Sequence, residues 1–259
     1  GGMIHMRQWY DQYRTMVESG KYGYGAIKEF LNSHMPDRLF RYRTFDKHFT
    51  TNCQGEVHMS YPQLFNDDKD SAFILDIIDC FVNYRARSDE DKKIAKLCAP
   101  YLEKKLNLKD GVQELIERIR NCAKIACFTD SDRNNHMWEN YAEENKGFCI
   151  EYDISKNKIF KYYLFKVIYD NNIYDLKEGI VRGNRNYMLN PFIHKTNQWM
   201  PEQEWRLVWF ESPEQKAPNE IQLGNEVVSI KLGEKAVETY PNEVEVLKKI
   251  CRDKNIVVR

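Results

Sequence analysis

The chain carries no net charge, since Lys plus Arg and Asp plus Glu stand at 39 each in 259 residues. No global field therefore draws it to nucleic acid or to an anionic membrane, although a local basic groove is compatible with that balance. It also lacks a long apolar run. The longest, around 72–82, is broken by Asp76 and Asp79 and falls short of the roughly twenty residues that a spanning helix requires, so a membrane protein is not expected. The seven cysteines (Cys53, Cys80, Cys98, Cys122, Cys127, Cys149 and Cys251) are odd in number and contain no C-x-x-C pair, which fits reduced thiols, most of them small core residues. The six histidines never take H-E-x-x-H or a similar ligand spacing, and no metal is expected. Internal repeats, low-complexity tracts and evident linkers are missing too, so a single domain over residues 1–259 is expected. Gly1-Gly2-Met3 reads as the remnant of a cleaved expression tag, and the polar, aromatic residues after it lack the apolar core of a signal peptide. The expected localisation is cytoplasmic.

What is present is the composition of a soluble globular protein with a substantial core, 42% hydrophobic and 30% charged. A helical preface is expected over 3–35, where two helical patterns flank the turn-rich Ser19-Gly20-Lys21-Tyr22-Gly23. Residues 38–43 alternate like a strand, and 56–60 form a second short one that Pro62 stops. A helical insertion is expected over 71–122, with Phe73, Ile74, Ile77, Ile78 and Phe81, then Leu115, Ile116 and Ile119, at helical spacing. Strands return at 124–129 and 147–152 around a helix near 135–144, and another is expected over 162–169. A helical stretch near 174–194 then precedes strands at 202–210 and 226–232, a helix at 242–251 and a terminal strand at 255–258. Helix and strand alternate too irregularly for a doubly wound parallel sheet. The expected class is α+β, with a mixed, mainly antiparallel central sheet, flanking helices and the inserted helical segment.

Chemistry concentrates in PEQEWRLVWF, at 201–210. Strand alternation would place Glu202, Glu204 and Arg206 on one face. Two carboxylates on one strand face are expensive unless something positive meets them, either a structural arginine or a substrate. Arg41 and Arg43 alternate with Phe40 and Tyr42, which presents two guanidinium groups on one face, as a fork for pyrophosphate oxygens or as cross-strand partners for the acids. Thr129 and Ser131 end a strand, where their hydroxyls serve a ligand or simply start a turn. Trp138 and Tyr141 share a helix face that either floors a pocket or packs the core, and Tyr61 and Trp199 are further stacking candidates. Asn66 and Asp67 read as an Asx turn or as site residues.

The segments Phe40-Arg41-Tyr42-Arg43-Thr44-Phe45, Met59-Ser60-Tyr61-Pro62 with Phe65-Asn66-Asp67, Ala126-Cys127-Phe128-Thr129, Met137-Trp138-x-x-Tyr141-Ala142 with Lys146-Gly147-Phe148-Cys149-Ile150-Glu151, and Glu202-x-Glu204-Trp205-Arg206 together resemble a bacterial family. That family is catalogued as domain of unknown function twenty-nine seventy-one. The sequence departs from its pattern after Asn66-Asp67, where Asp68-Lys69 replaces a proline and an apolar residue. A more distant likeness is to ADP-ribosyltransferases, which an early-strand arginine, a Ser/Thr-bearing middle strand and a late Glu-x-Glu strand resemble. That likeness implies transfer of ADP-ribose from NAD to a macromolecular acceptor, a protein or a nucleic acid, in a toxin or phage-defence effector. Under it Glu204 stabilises the positive charge that develops on the ribose, and Glu202 orients or deprotonates the attacking group. Arg43, Arg41, Tyr42, Thr129, Ser131, Trp138 and Tyr141 would then bind NAD. Two alternatives remain beside it: a nuclease-type effector holding a divalent metal with Glu202, Glu204 and Asp67, and a non-catalytic binding module with a structural Arg/Glu network.

Overall fold

The computed structural model describes residues 2–65, 73–74, 93, 104, 108–176, 186, 188–212 and 214–259. In chain order the elements begin with helices α1 (Gly2–Ser19) and α2 (Tyr24–Asn32), strand β1 (Arg38–Arg43), helix α3 (Phe49–Cys53) and strands β2 (Glu56–His58) and β3 (Phe73–Ile74). Helix α4 (Leu108–Arg120), β4 (Ala123–Thr129), α5 (Asn135–Tyr141), β5 (Phe148–Asp153), α6 (Lys158–Tyr163), β6 (Leu164–Lys166), β7 (Ile168–Asp170) and β8 (Tyr174–Asp175) come next. The chain continues through α7 (Asn190–Ile193), β9 (His194–Thr196), β10 (Glu204–Phe210), β11 (Glu220–Gln222), β12 (Val227–Leu232), α8 (Ala236–Thr239), α9 (Pro241–Lys254) and β13 (Val257–Val258). Short 3-10 turns occupy Pro62–Leu64 and Asn197–Glu202.

The chain divides into two compact units. The first takes residues 1–34, 61–123 and 168–196. Its helix α1 is fixed to β7 by Arg14, which ion-pairs with Asp170 and with Glu18 on its own helix, the latter at 2.8 Å. Two small parallel ladders, β3 with β8 and β7 with β9, complete its described sheet structure. Phe73 and Leu176 pack together there with Ile116, Ile119 and Tyr174.

The second unit takes residues 35–60, 124–167 and 197–259 and is built on a seven-stranded sheet of order β13-β12-β5-β1-β4-β10-β6. Strand β1 runs antiparallel to β5 and to β4, β12 antiparallel to β5, and β6 antiparallel to β10, whereas β13 runs parallel to β12. The fold is therefore α+β with a mainly antiparallel mixed sheet. Strand β4 reads AKIACFT and is buried at nearly every position, as befits an interior strand covered on both faces. The register fixes which residues share a face. Phe40 opposes Thr129 and Tyr42 opposes Cys149, so these four lie on one side of the sheet and Arg41 and Arg43 on the other. On the first side Trp138 of α5 and Ala142 just after it pack against Phe40, Tyr42 and Cys149. Helix α9 buries Val244, Leu247 and Cys251 at helical spacing and ends on Asn255 in the left-handed region, φ 55°.

Several expected elements change. The strand expected over 202–210 starts at Glu204; Glu202 instead closes a 3-10 helix that contains Pro201, and Gln203 between them has φ 50°. Proline cannot donate to a ladder and a left-handed residue breaks the alternation, so only Glu204 and Arg206 share a strand face. The strand expected over 162–169 begins as the last turn of α6, because Asn157 caps that helix by accepting from the Ile159 amide at 2.9 Å. Phe73 and Ile74 form a strand rather than part of a helix. The remainder of the expected 71–122 insertion is described at residues 93, 104 and 108–122, while 71–72, 75–92, 94–103 and 105–107 lie outside the described residues. The helical stretch expected near 174–194 is a strand at its start and a short helix, α7, near its end, with 177–185 and 187 outside the described residues. Asn66 and Asp67 lie outside them as well. Among the described residues no helix is long and apolar enough to cross a membrane.

Candidate functional site

The end of β4 and the approach to β10 are tied together by side chains that have little freedom. Thr129, 1% exposed, donates its hydroxyl to the Glu202 carbonyl at 2.7 Å. Asn134, just beyond the strand, caps α5, its side-chain oxygen accepting from the Met137 amide at 3.3 Å. The amide nitrogen of the same side chain donates to the Pro201 carbonyl at 2.6 Å. These two bonds hold the 3-10 helix by its last two carbonyls.

Glu202 is thereby presented to α5. The residue is 3% exposed and its carboxylate accepts the Tyr141 hydroxyl at 2.5 Å, which offsets the loss of water around the buried acid. Tyr141 itself is 38% exposed, so the pair stands where the core meets solvent. Trp199 and Glu202 lie three apart on the 3-10 helix, where side chains eclipse. Trp199 meets His136 of α5 edge-on at 6.4 Å.

Tyr42 and Trp138 lie deeper on this side. The Tyr42 hydroxyl donates to the Ser131 carbonyl at 2.8 Å and accepts from the Asn134 amide at 3.3 Å, and burial holds its phenol far above the ordinary range. Its ring meets Trp138 edge-on at 5.0 Å, and the Trp138 indole donates to the Asp132 carbonyl at 3.0 Å. Both rings belong to the core, so of the three aromatic residues Tyr42, Trp138 and Tyr141 it is Tyr141 that reaches solvent. Ser131 contributes through its backbone to Tyr42 and through its hydroxyl to the Arg133 amide at 3.1 Å, the geometry of a turn.

Glu204 has a different setting. Arg206, fully buried, grips it from the same strand face with Nε to Oε1 at 2.8 Å and Nη2 to Oε2 at 3.2 Å, a bidentate pair. Beside it Lys166 of β6 donates to Asp130 at 3.1 Å and to the Gln203 carbonyl at 2.8 Å, with its ammonium 5.0 Å from the Trp205 ring. Burial lowers the Lys166 pKa, while Asp130 and Glu204 oppose that shift.

Arg41 and Arg43 stand on the other side of the sheet from Thr129 and Tyr42. The Arg41 guanidinium lies 5.5 Å from the Phe128 ring and is pushed down to about 10 by burial and then by the like charge of Arg43. Arg43 donates to the Asn52 side chain at 3.4 Å. The structure thus brings Glu202, Thr129 and Tyr141 together, with Tyr42, Ser131 and Trp138 behind them, and it separates the arginine fork from that group. Among the residues of this neighbourhood that sequence reasoning does not single out are Asn134 and Lys166. Asn134 carries a signal, an Asx residue directly before a helical pattern; Lys166 carries a weaker one, a single charge inside the apolar run Leu164-Phe165-Lys166-Val167. Among the described residues no group of three or more His, Cys, Asp or Glu side chains is placed to hold a metal ion.

Residues 137–207 match the model of a family described as "Protein of unknown function (DUF2971)". The matched stretch runs from α5 into β10 and includes Trp138, Tyr141, Glu202, Glu204 and Arg206. No curated protein and no solved structure matches the chain.

Proposed function

We propose that this chain is an ADP-ribosyltransferase-like enzyme that moves ADP-ribose from NAD to a macromolecular acceptor, with Glu202 as its working acid and Glu204 as scaffold. The observation that supports this is the Tyr141–Glu202 hydrogen bond. It holds a carboxylate at the border of the core, between the end of β4 and α5, while Thr129 fixes the backbone beneath it. In the reaction the bond between the ribose carbon and the nicotinamide nitrogen breaks, its electron pair leaves with nicotinamide, and the acceptor forms the new bond to that carbon and loses a proton. A fixed carboxylate favours the positive charge that builds on the ribose as the bond lengthens. Arg133, in the turn before α5, with 88% of its side chain exposed and its Nε 3.9 Å from Asp132, is the guanidinium assigned to the phosphates of NAD. The proposed setting is the cytoplasm, for a toxin or phage-defence effector, and the described cysteines are free thiols.

A second reading, a non-catalytic binding module, is favoured by one observation: Arg206 and Glu204 satisfy each other in the core. One experiment separates the two. Purified protein is incubated with NAD and a cell lysate as acceptor source, and released nicotinamide is measured. The enzyme reading expects release that falls about 100-fold or more in Glu202→Gln with the thermal midpoint preserved, the scale on which a positioned polar group acts in catalysis. NAD binding without release, or release indifferent to that substitution, overturns it.

A further inference from the structure

We infer that α6 and the end of β10 form a binding face for single-stranded nucleic acid. The net charge of the chain is zero, yet Lys156, Lys158 and Lys161 fall within six residues and all three are exposed. Lys158, Lys161 and Tyr162 are spaced i, i+3 and i+4 and so share the outward face of α6, while Phe160 is buried beneath them. Asp153, the acid whose field Lys156 reaches, is already held by Arg38 at 3.2 Å and by the Ser155 hydroxyl at 2.6 Å. Lys158 and Lys161 have no ion pair among the described residues.

Aromatic rings are interleaved with this charge. Tyr162 is 62% exposed. Tyr163 stacks on Trp209 with centroids 4.4 Å apart and planes 9° from parallel, and Tyr162 stands 6.4 Å from Tyr163. Trp209 is half-buried because β10 runs out of the core over its last two residues. The face lies beside β6, which ends the seven-strand order. Lysines that track a phosphate backbone, with rings on which bases stack, are what sequence-tolerant recognition of a single strand requires. A duplex hides its bases and so engages only the charge, and an anionic lipid surface offers no base faces to stack on these rings.

This assignment does not rest on the NAD reading, and its test is independent of nicotinamide release. The 259-residue chain is titrated into a fluorescently labelled twelve-nucleotide oligothymidine, and anisotropy is read at several salt concentrations. Three phosphate contacts predict that log K falls with log salt at a slope of about −2. Substituting Lys156, Lys158 and Lys161 together by Gln should bring that slope close to zero, and Tyr162→Ala should weaken binding about fivefold or more at fixed salt. Lys248→Gln, on α9, serves as the surface-charge control and should change neither. Thermal midpoints confirm that each variant is folded. The proposal is overturned by absence of saturable binding, by binding that ignores Tyr162→Ala, or by equal affinity for a duplex of the same length or for vesicles of anionic lipid.

Discussion

Arg206 and Glu204 sit two residues apart on β10, and 0% and 5% of their side chains are exposed. Removing two charges from water is costly, and their mutual attraction with two aligned hydrogen bonds offsets that cost without a large surplus. The asymmetry is in what happens when one partner goes. Arg206→Met leaves a buried carboxylate and should lower the unfolding free energy by about 3–5 kcal/mol, whereas the double variant with Glu204→Leu should recover at least half of that loss. Urea denaturation of the wild type, both single variants and the double variant measures it; a loss under about 1 kcal/mol in Arg206→Met would show that the pair is not holding this part of the core. The same two residues show what can be read from the chain. An Arg at i+2 from a Glu on an apolar strand is a visible pair, and it accounts for that acid without a ligand. Glu202 is not legible in the same way, because Pro201 and the left-handed Gln203 take it off the strand, and nothing in a period-2 pattern registers either. Its partner Tyr141 reads in sequence as a stacking ring, while the contact that matters in the structure is made by its hydroxyl.

Elements with regular alternation are legible almost to the residue, as for β1, where Phe40-Arg41-Tyr42-Arg43 alternates apolar and charged positions on opposite faces. The junctions are less so. Between α5 and β5 the chain passes through Glu143, Glu144 and Asn145, all with positive φ (49°, 53° and 69°), before Gly147. No sequence rule places two glutamates in that region; the Ala142 carbonyl, accepting from Lys146 and Gly147, and the pairing of β5 with β1 impose it. Gly147 is different, since a Cβ there would lie 2.1 Å from the Arg43 carbonyl oxygen. Substitutions at the two positions should therefore act in opposite directions. Glu144→Gly removes left-handed strain and should stabilise by up to about 1 kcal/mol. Gly147→Ala forces β1 away from the start of β5 and should destabilise by about 3 kcal/mol. Chemical denaturation of both variants checks the pair, and a harmless Gly147→Ala would contradict the close approach. The α6 boundary escapes sequence reasoning for a related reason: Tyr and Phe favour strands in isolation, and the Asn157 cap overrides that preference locally.

Across the whole molecule, stability against pH depends on groups that folding removes from water. Lys28, in the first unit, is pushed down by burial to about 7 from 10.5. Within that window the unfolded chain binds a proton that the folded chain does not, so stability rises with pH there, at up to about 1.4 kcal/mol per pH unit. The thiols of the second unit act in the opposite sense. Burial raises Cys53, Cys149 and Cys251 above 9.0, the last to about 11, and raises Tyr152 from 10.0 to about 12. Above pH 9 the unfolded state releases protons that the folded state keeps, and stability falls. Lys166, also lowered by burial, adds to the rise, and the three thiols with Tyr152 oppose both lysines above pH 9, so stability should pass through a maximum at about pH 9. Calorimetry from pH 6 to 10 should show a thermal midpoint that climbs to that maximum and then drops. Lys28→Met should flatten the rising limb and leave the alkaline fall intact, because the thiols responsible for it lie in the other unit. If the two units melt as separate transitions, only the first should move with Lys28→Met, and a wild-type-minus-variant difference that stays constant from pH 6 to 9 would remove buried Lys28 as the cause of the rise.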